Sequence, residues 1–133
     1  MRNVLIVPAL ALGLVLAGCA ASPKQIGEMT FGPAPAISVE NIAPAFRYYL
    51  ADPLSAQIEP VGRPYKAYML KPLIRGGGVD WSGWAIDANV NAKNRLGGYT
   101  GFRLFRVMLD PTGLGVGVYE AQPVEALFHR AAD

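Results

Sequence analysis

The sequence DWSGWAIDANVNAKNRLGGYTGFRLFRVML, residues 80–109, contains two segments in which apolar and mostly polar side chains alternate. In the first segment, apolar side chains stand at every second position from 84 to 90. A period of two is the pattern of a β-strand that buries one face and leaves the other in water. The second segment, residues 103–109, alternates less regularly, which a β-bulge at residues 99–102 would explain. The stretch therefore predicts an antiparallel hairpin whose strands are joined by a loop at residues 91–101.

The composition excludes two broad classes of protein. The chain has 133 residues, of which 52% are hydrophobic and 17% charged, and its formal net charge is +2. A disordered polyelectrolyte would be far less hydrophobic, and a nucleic-acid binder would carry a larger positive charge. We therefore expect one small folded domain and no nucleic-acid partner.

The N-terminus has the layout of a secretory signal. A short positive start with Arg2 is followed by an almost wholly apolar run, residues 4–16, and then by Leu16-Ala17-Gly18-Cys19. These last four residues resemble the lipobox of bacterial lipoproteins. The resemblance implies that residues 1–18 are a signal peptide and that Cys19 is lipidated, so that the mature protein is held on a membrane.

The alternative is an uncleaved transmembrane anchor. The apolar run is about 15 residues long, against the roughly 20 that a membrane-spanning helix needs, which favours the lipoprotein. By resemblance to lipoprotein sorting, Ala20 after the cysteine indicates the outer membrane with the domain in the periplasm, the alternatives being the cell surface and the inner membrane. Because Cys19 is the single cysteine, we expect no disulfide inside the domain.

Residues 19–39 are rich in Pro, Gly and Ala, and predict a flexible tether on which Met29 and Phe31 are candidates to dock. Residues 40–133 are expected to form the domain. In residues 40–50, apolar side chains spaced as on one helical face predict a three-turn helix with Ser38 or Asn41 as N-cap and Pro44 in or near its first turn. Such a short helix must pack on a sheet to be stable.

Further strands are predicted at residues 56–61 and 65–74, where prolines assign them to a sheet edge or to bulges. A last strand at residues 114–118 alternates with Gly115 and Gly117, which either a closely packed element or aromatic side chains must cover. Residues 123–131 predict a short C-terminal helix. The expected fold class is α+β, with an N-terminal helix packed on a four- to five-stranded antiparallel sheet.

Two separated motifs, Asp52-Pro53-Leu54-Ser55-Ala56 and Asn91-Ala92-Lys93-Asn94 with Gly97-Gly98-Tyr99-Thr100-Gly101, resemble the paired signature of a group of small exported bacterial proteins and lipoproteins. The resemblance implies a shared folding unit and brings no activity with it. Many of these proteins carry Cys-Gly where this chain has Asp87-Ala88. A role tied to that cysteine therefore does not transfer.

The loop at residues 91–101 has two interpretations. In the first it is structural, because Asn and Gly enter the left-handed region readily and Asn91 and Asn94 can bond nearby backbone groups. In the second it faces a ligand or partner. Trp81, opposite in parity to Trp84, is expected to be exposed as a partner anchor unless the tether or the glycines of the last strand cover it. The candidate binding residues are Trp81, Asn89, Asn91, Lys93, Asn94, Tyr99 and Arg103.

Catalysis has little support in the sequence. The only histidine is His129, the only cysteine is the lipidation site, and no glycine-rich segment has the form of a phosphate loop. We expect no cofactor and no metal, and a hydrolase only if a pair of acids assembles in the fold. The predicted function is a non-catalytic binding or assembly module for another envelope protein. The alternative is an inhibitor or recognition module for a glycan, peptide or enzyme.

Overall fold

The computed structural model describes residues 25–26, 28–121 and 127–132, so the signal peptide and the lipidation site predicted at Cys19 lie outside the described residues. Five antiparallel strands form one sheet in the order β4-β3-β2-β1-β5. The strands are β1 (Gln57–Leu70), β2 (Val79–Asn91), β3 (Arg103–Leu109), β4 (Gly115–Glu120) and β5 (Phe128–Arg130). Between residues 28 and 121 the helical segments are α1 (Val39–Ile42) and the 3-10 turns Ala43–Phe46, Pro53–Ser55 and Leu73–Arg75.

The predicted central hairpin is confirmed. β2 and β3 pair antiparallel from Trp84 opposite Leu109 to Val90 opposite Arg103. The alternation of the sequence matches this register, because Ile86, Ala88 and Val90 are buried. The period-two pattern therefore placed both strands and their buried face correctly.

β1 joins the strand segment predicted at residues 56–61 and most of the one predicted at residues 65–74 into one strand. The predicted end is wrong, because β1 ends at Leu70 and Leu73–Arg75 is a 3-10 turn. Its register against β2 is interrupted between Val61 and Tyr65. This interval contains Pro64 and also Gly62, which has a positive φ of 75°. Because β5 pairs only with Ala67, Tyr68 and Met69, the first half of β1 lies at the edge of the sheet. The prolines thus mark a bulge and an edge, as predicted.

The predicted α+β fold class is wrong, because the sheet dominates the domain and the N-terminal helical segment is short. α1 begins with Ser38 as N-cap, whose Oγ accepts a hydrogen bond from the Asn41 N–H at 3.2 Å. Because the helix starts at Val39, Pro44 lies beyond its first turn. Pro44 has no N–H to donate to the α-helical hydrogen-bond ladder. The segment therefore continues only as the 3-10 turn Ala43–Phe46.

The predicted C-terminal helix is also wrong for the part that the structure describes. Phe128–Arg130 is β5, which pairs with β1, while residues 122–126 lie outside the described residues. Pairing with an existing strand satisfies the backbone of this segment and buries the Phe128 side chain. A nine-residue helical pattern is weak by comparison, because isolated helices of that length are unstable in water.

The core lies on one side of the sheet, which we call the covered face. Ile42 and Phe46 pack there on the inward side chains of β2 and β3, and the Phe46 and Phe105 rings meet edge-on at 5.5 Å. Gly115 lets the helical segment approach β4, since a Cβ at this position would lie 2.9 Å from the Ile42 carbonyl oxygen. A change of register between Met108 and Leu109 turns Gly117 to the other side, against Met108. Close packing by the helical segment is therefore the reason for Gly115.

The other side, the open face, carries a smaller apolar cluster around Ala67, Ala85 and Phe128. Trp81 is half-buried in this cluster, with its ring stacked on Phe128 at 6.5 Å. It is also close to Gly83, where a Cβ would lie 2.8 Å from the Trp81 ring. Trp81 is therefore on the opposite face from Trp84, as predicted, but β5 covers part of it and it is not the exposed side chain that we expected.

Part of the predicted tether contacts the sheet. The Trp84 Nε1–H donates a hydrogen bond to the Phe31 carbonyl at 2.8 Å, and Ile37 packs on the core. Further along, the Ala36 carbonyl lies 3.0 Å from where a Cβ would stand on Gly113, in the turn between β3 and β4. The residues from Phe31 to the start of α1 thus lie along the domain.

Candidate functional site

Ser55 brings the two motifs of the predicted signature together. Its Oγ accepts a hydrogen bond from the Lys93 N–H at 2.9 Å and donates one to the Asp52 carbonyl at 2.8 Å. The Tyr99 hydroxyl donates to the Ser55 carbonyl at 3.3 Å. The turn Pro53–Ser55 and the β2–β3 loop therefore form one unit. The sequence analysis paired the two motifs but did not identify Ser55 as the residue that joins them.

The asparagine amides of the loop bond its own backbone. Asn94 Oδ1 accepts from the Leu96 and Gly98 N–H groups at 2.9 and 3.1 Å. Asn91 Oδ1 accepts from the Gly101 N–H at 2.9 Å, and its Nδ2 donates to Gln57 at 3.2 Å. The two side chains therefore satisfy backbone groups, as the structural interpretation predicts.

Glycine is required at two positions of the loop. Gly97 has φ of 85° and Gly101 has φ of 90°, a region that side chains with a Cβ enter at a cost. Gly98 does not have a positive φ, and a Cβ there would meet Asn94 only at 3.9 Å. Of the adjacent pair, only Gly97 is therefore conformationally obligatory.

Apolar side chains stand out from this unit while its amides turn inward. Leu96 at the tip is 95% exposed, and Leu54, next to Ser55, is 98% exposed. Tyr99 and Phe102 are each about half exposed, and the Lys93 ammonium lies 5.5 Å from the Tyr99 ring centre. We call the exposed side chains Leu54, Leu96, Tyr99 and Phe102 the loop surface.

The remaining candidate residues do not join the loop surface as one site. Arg103 is ion-paired with Glu120 at 3.1 Å at the start of β3. Asn89 is half-buried within β2, between Glu59 and Leu104 on the neighbouring strands. Trp81 lies ten residues before Asn91 along β2, which corresponds to about 33 Å of strand. The structure thus brings together Asn91, Lys93, Asn94 and Tyr99 and separates Trp81 from them.

A polar cluster that sequence reasoning missed lies in the middle of the open face. Asp87 Oδ1 accepts a hydrogen bond from the Tyr65 hydroxyl at 2.6 Å, and Asp87 Oδ2 is 3.3 Å from the Arg130 guanidinium. Arg106 approaches the same carboxylate at 3.9 Å, and Arg130 lies over the Tyr65 ring at 3.6 Å. In the sequence, the only sign of this cluster is that Asp87 falls on the polar side of the alternation in β2. The partners of Asp87 come from three other strands.

The carboxylate of Asp87 and the hydroxyl of Tyr65 are engaged with each other. Burial, and then the hydrogen bond to Asp87, raises the pKa of Tyr65 well above its ordinary value, so its hydroxyl stays protonated. His129 neighbours Arg130 on β5, and since alternate residues of a strand point to opposite faces, it points away from Asp87. The cluster is suited to joining β1, β2, β3 and β5.

The cavities found among the described residues are small. Within 25–26, 28–121 and 127–132 there is no group of three or more His, Cys, Asp or Glu side chains that could hold a metal ion. A cavity of about 220 Å³ lies between the N-terminal segment and the sheet, lined in part by Phe31, Trp84 and Leu109. Cavities that enclose drug-sized ligands usually measure about 300 Å³ or more. In the same part of the chain no helix is long and apolar enough to cross a membrane.

Comparison with protein-family models, with curated proteins and with solved structures gave no match. The lipobox resemblance and the resemblance of the paired motifs therefore stay predictions.

Proposed function

We propose that the chain is a lipid-anchored protein of the bacterial envelope that acts as a non-catalytic binding or assembly module for another envelope protein. The proposed anchor is a lipid on Cys19 in the outer membrane, with the domain in the periplasm. The proposal for the anchor rests on the sequence Leu16-Ala17-Gly18-Cys19 after an apolar run.

The observation that supports the binding role is that the polar and apolar side chains of the β2–β3 loop point in different directions. Its amide side chains are engaged with backbone groups, as Asn91 and Asn94 show, whereas Leu96 and the half-exposed rings of Tyr99 and Phe102 are presented outward. Protein interfaces are enriched in aromatic and apolar side chains at their centre, whereas a glycan also needs polar groups that are free to bond its hydroxyls. The loop surface thus fits a protein partner better than a glycan.

A rigid support makes this surface suitable for recognition. The loop is held by Ser55 and by the Asn94 amide, and its backbone closes with the Asn94 N–H on the Gly98 carbonyl at 2.8 Å. Side chains presented from an ordered loop lose less conformational entropy on binding than those of a loose one. We therefore assign the contact with the partner to Leu96, Tyr99 and Phe102.

Site-specific photo-crosslinking in cells tests this function. A benzophenone amino acid replaces Leu96 in one variant and Ile74 in another; both positions are almost fully exposed, at 95% and 94%, and they lie on different loops. We expect a discrete protein adduct from residue 96 and none of the same mass from residue 74. Equal adducts from both positions, or none from residue 96, would contradict a partner at the loop surface.

The anchor has its own test. Cys19→Ser removes the sulfur that would carry the lipid, and stable membrane attachment requires two or more acyl chains or an equivalent second signal. We expect the wild type to fractionate with the outer membrane and the variant to be unprocessed or released. Wild-type protein that stays in the periplasmic fraction would refute the lipoprotein assignment.

A further inference from the structure

The turn between β1 and β2, residues 71–78, presents two apolar side chains to solvent. Ile74 is 94% exposed, and Leu73 is more than half exposed. The turn is closed by its own backbone, with the Lys71 N–H on the Gly78 carbonyl at 2.9 Å and the Gly76 N–H on the Leu73 carbonyl at 2.8 Å. We call residues 71–78 the hairpin tip. Its apolar residues are held outward by an ordered turn.

The N-terminal segment reaches the domain at this tip. The Gln25 side chain lies beside Gly78, where a Cβ would be 3.7 Å from its Nε2. Further along the chain, the Phe31 carbonyl accepts a hydrogen bond from the side chain of Trp84. Trp84 is the sixth residue of β2. The first described contact after Cys19 is therefore made with the hairpin tip.

The length of chain between Cys19 and Gln25 limits how far a lipid on Cys19 can be from the tip. Six residues span at most about 20 Å when fully extended. The loop surface is at the other end of β2, whose 13 residues correspond to about 40 Å at a rise of roughly 3.3 Å per residue. A lipid on Cys19 thus lies closer to the hairpin tip than to the loop surface.

The charges of the tip suit a membrane surface. Lys71 and Arg75 flank the two apolar residues, with Asp80 as an acidic side chain at the start of β2. Basic side chains beside apolar ones are typical of segments that lie in the interface of an anionic bilayer, because the cations stay at the headgroups while the apolar groups enter the acyl boundary.

We propose that the hairpin tip is a second membrane contact, with Leu73 and Ile74 in the interfacial layer of an anionic bilayer and Lys71 and Arg75 at its headgroups. This inference rests on the proposed lipidation of Cys19. It orients the domain, since the tip then faces the membrane and the loop surface points away from it, toward the partner. The sheet acts as a spacer of about 40 Å between the two.

A fluorescent probe on a single thiol tests the orientation. Because a lipid occupies Cys19, the variants Ile74→Cys and Leu96→Cys each carry one free thiol, at positions of nearly equal exposure. The lipidated full chain, labelled with an environment-sensitive fluorophore, is inserted from outside into preformed vesicles of phosphatidylcholine and phosphatidylglycerol. We expect the label at 74 to shift to shorter wavelength and to be quenched by iodide several-fold less than the label at 96. Lys71→Gln with Arg75→Gln should reduce that protection.

The other outcomes overturn the proposal. Labels that are equally accessible to iodide would mean that the domain stands off the membrane, and equal protection would mean that it lies flat. Protection at 96 alone would reverse the orientation. Flotation of the vesicles separates these results from a failure of the anchor, because protein without lipid stays at the bottom of the gradient whatever its labels report.

Discussion

Replacing Ser55 with alanine should destabilise the domain, because this side chain joins the two motifs. The substitution removes the hydrogen bond that Oγ accepts from the Lys93 N–H at 2.9 Å and the one that it donates to the Asp52 carbonyl at 2.8 Å. A typical hydrogen bond contributes about 0.5–1.5 kcal/mol net, and a buried donor left without a partner costs about 1–3 kcal/mol. The junction is only partly buried, so water can replace part of the loss. We expect a decrease in the free energy of unfolding of about 1.5 kcal/mol.

Urea denaturation measures this decrease. The protein is produced as residues 19–133 with Cys19→Ser, and unfolding is followed by the fluorescence of Trp81 and Trp84, both half-buried. Ser82→Ala, at an exposed serine of β2, is the control and should stay within about 0.5 kcal/mol of the parent. Hydrogen exchange of the Lys93 amide gives a local readout, which should accelerate in Ser55→Ala only. Equal stability of the two variants together with unchanged exchange would refute the role of Ser55.

Three further predictions concern backbone geometry, packing and pH. Gly97→Ala should cost about 1–2 kcal/mol because φ is 85°, whereas Gly98→Ala should cost clearly less; similar urea midpoints for the two variants would contradict this. Trp81→Ala should lower the free energy of unfolding by about 2 kcal/mol, less than the roughly 3–5 kcal/mol that truncating a fully buried tryptophan costs. Crosslinking from residue 96 should be unchanged. Loss of the adduct in a stably folded variant would mean that Trp81 belongs to the partner interface. The raised pKa of Tyr65 means that its contribution to stability is fully present below the ordinary tyrosine pKa of about 10 and is lost as pH rises above it. Tyr65→Phe should therefore be less stable than the wild type at neutral pH, through the lost bond to Asp87, but should lose less stability in thermal scans above about pH 10; parallel losses would contradict the assignment.

Local patterns were sufficient where a single segment determines its own structure. The hairpin of residues 80–109 was predictable because alternation with period two specifies both the strand and its buried face. The prolines of β1 marked an edge and a bulge because a missing N–H excludes a central position in a ladder. The backbone bonds that Asn91 and Asn94 accept are also local, since their donors are at most ten residues away.

The length of the N-terminal helix depended on where it starts relative to Pro44. The spacing of apolar residues predicted three helical turns, but the Ser38 cap moved the start of α1 forward, and Pro44 then interrupted it. A proline is tolerated in the first turn and disruptive beyond it, so a shift of a few residues in the start decides the helix length.

The sequence alone determined local features of this protein, namely the central hairpin and a loop that requires glycine. The tertiary structure alone decided which distant segments meet. Lys93 reaches Ser55 across 38 positions and Arg130 reaches Asp87 across 43, and no spacing rule connects residues so far apart. Residues 128–130 form β5 because they hydrogen-bond to the backbone of β1. Trp81 is half-buried because Phe128, which lies on β5, stacks on its ring. Pairing energy of this kind exists only between segments that the fold has already brought together, so it leaves no periodic signal in either of them.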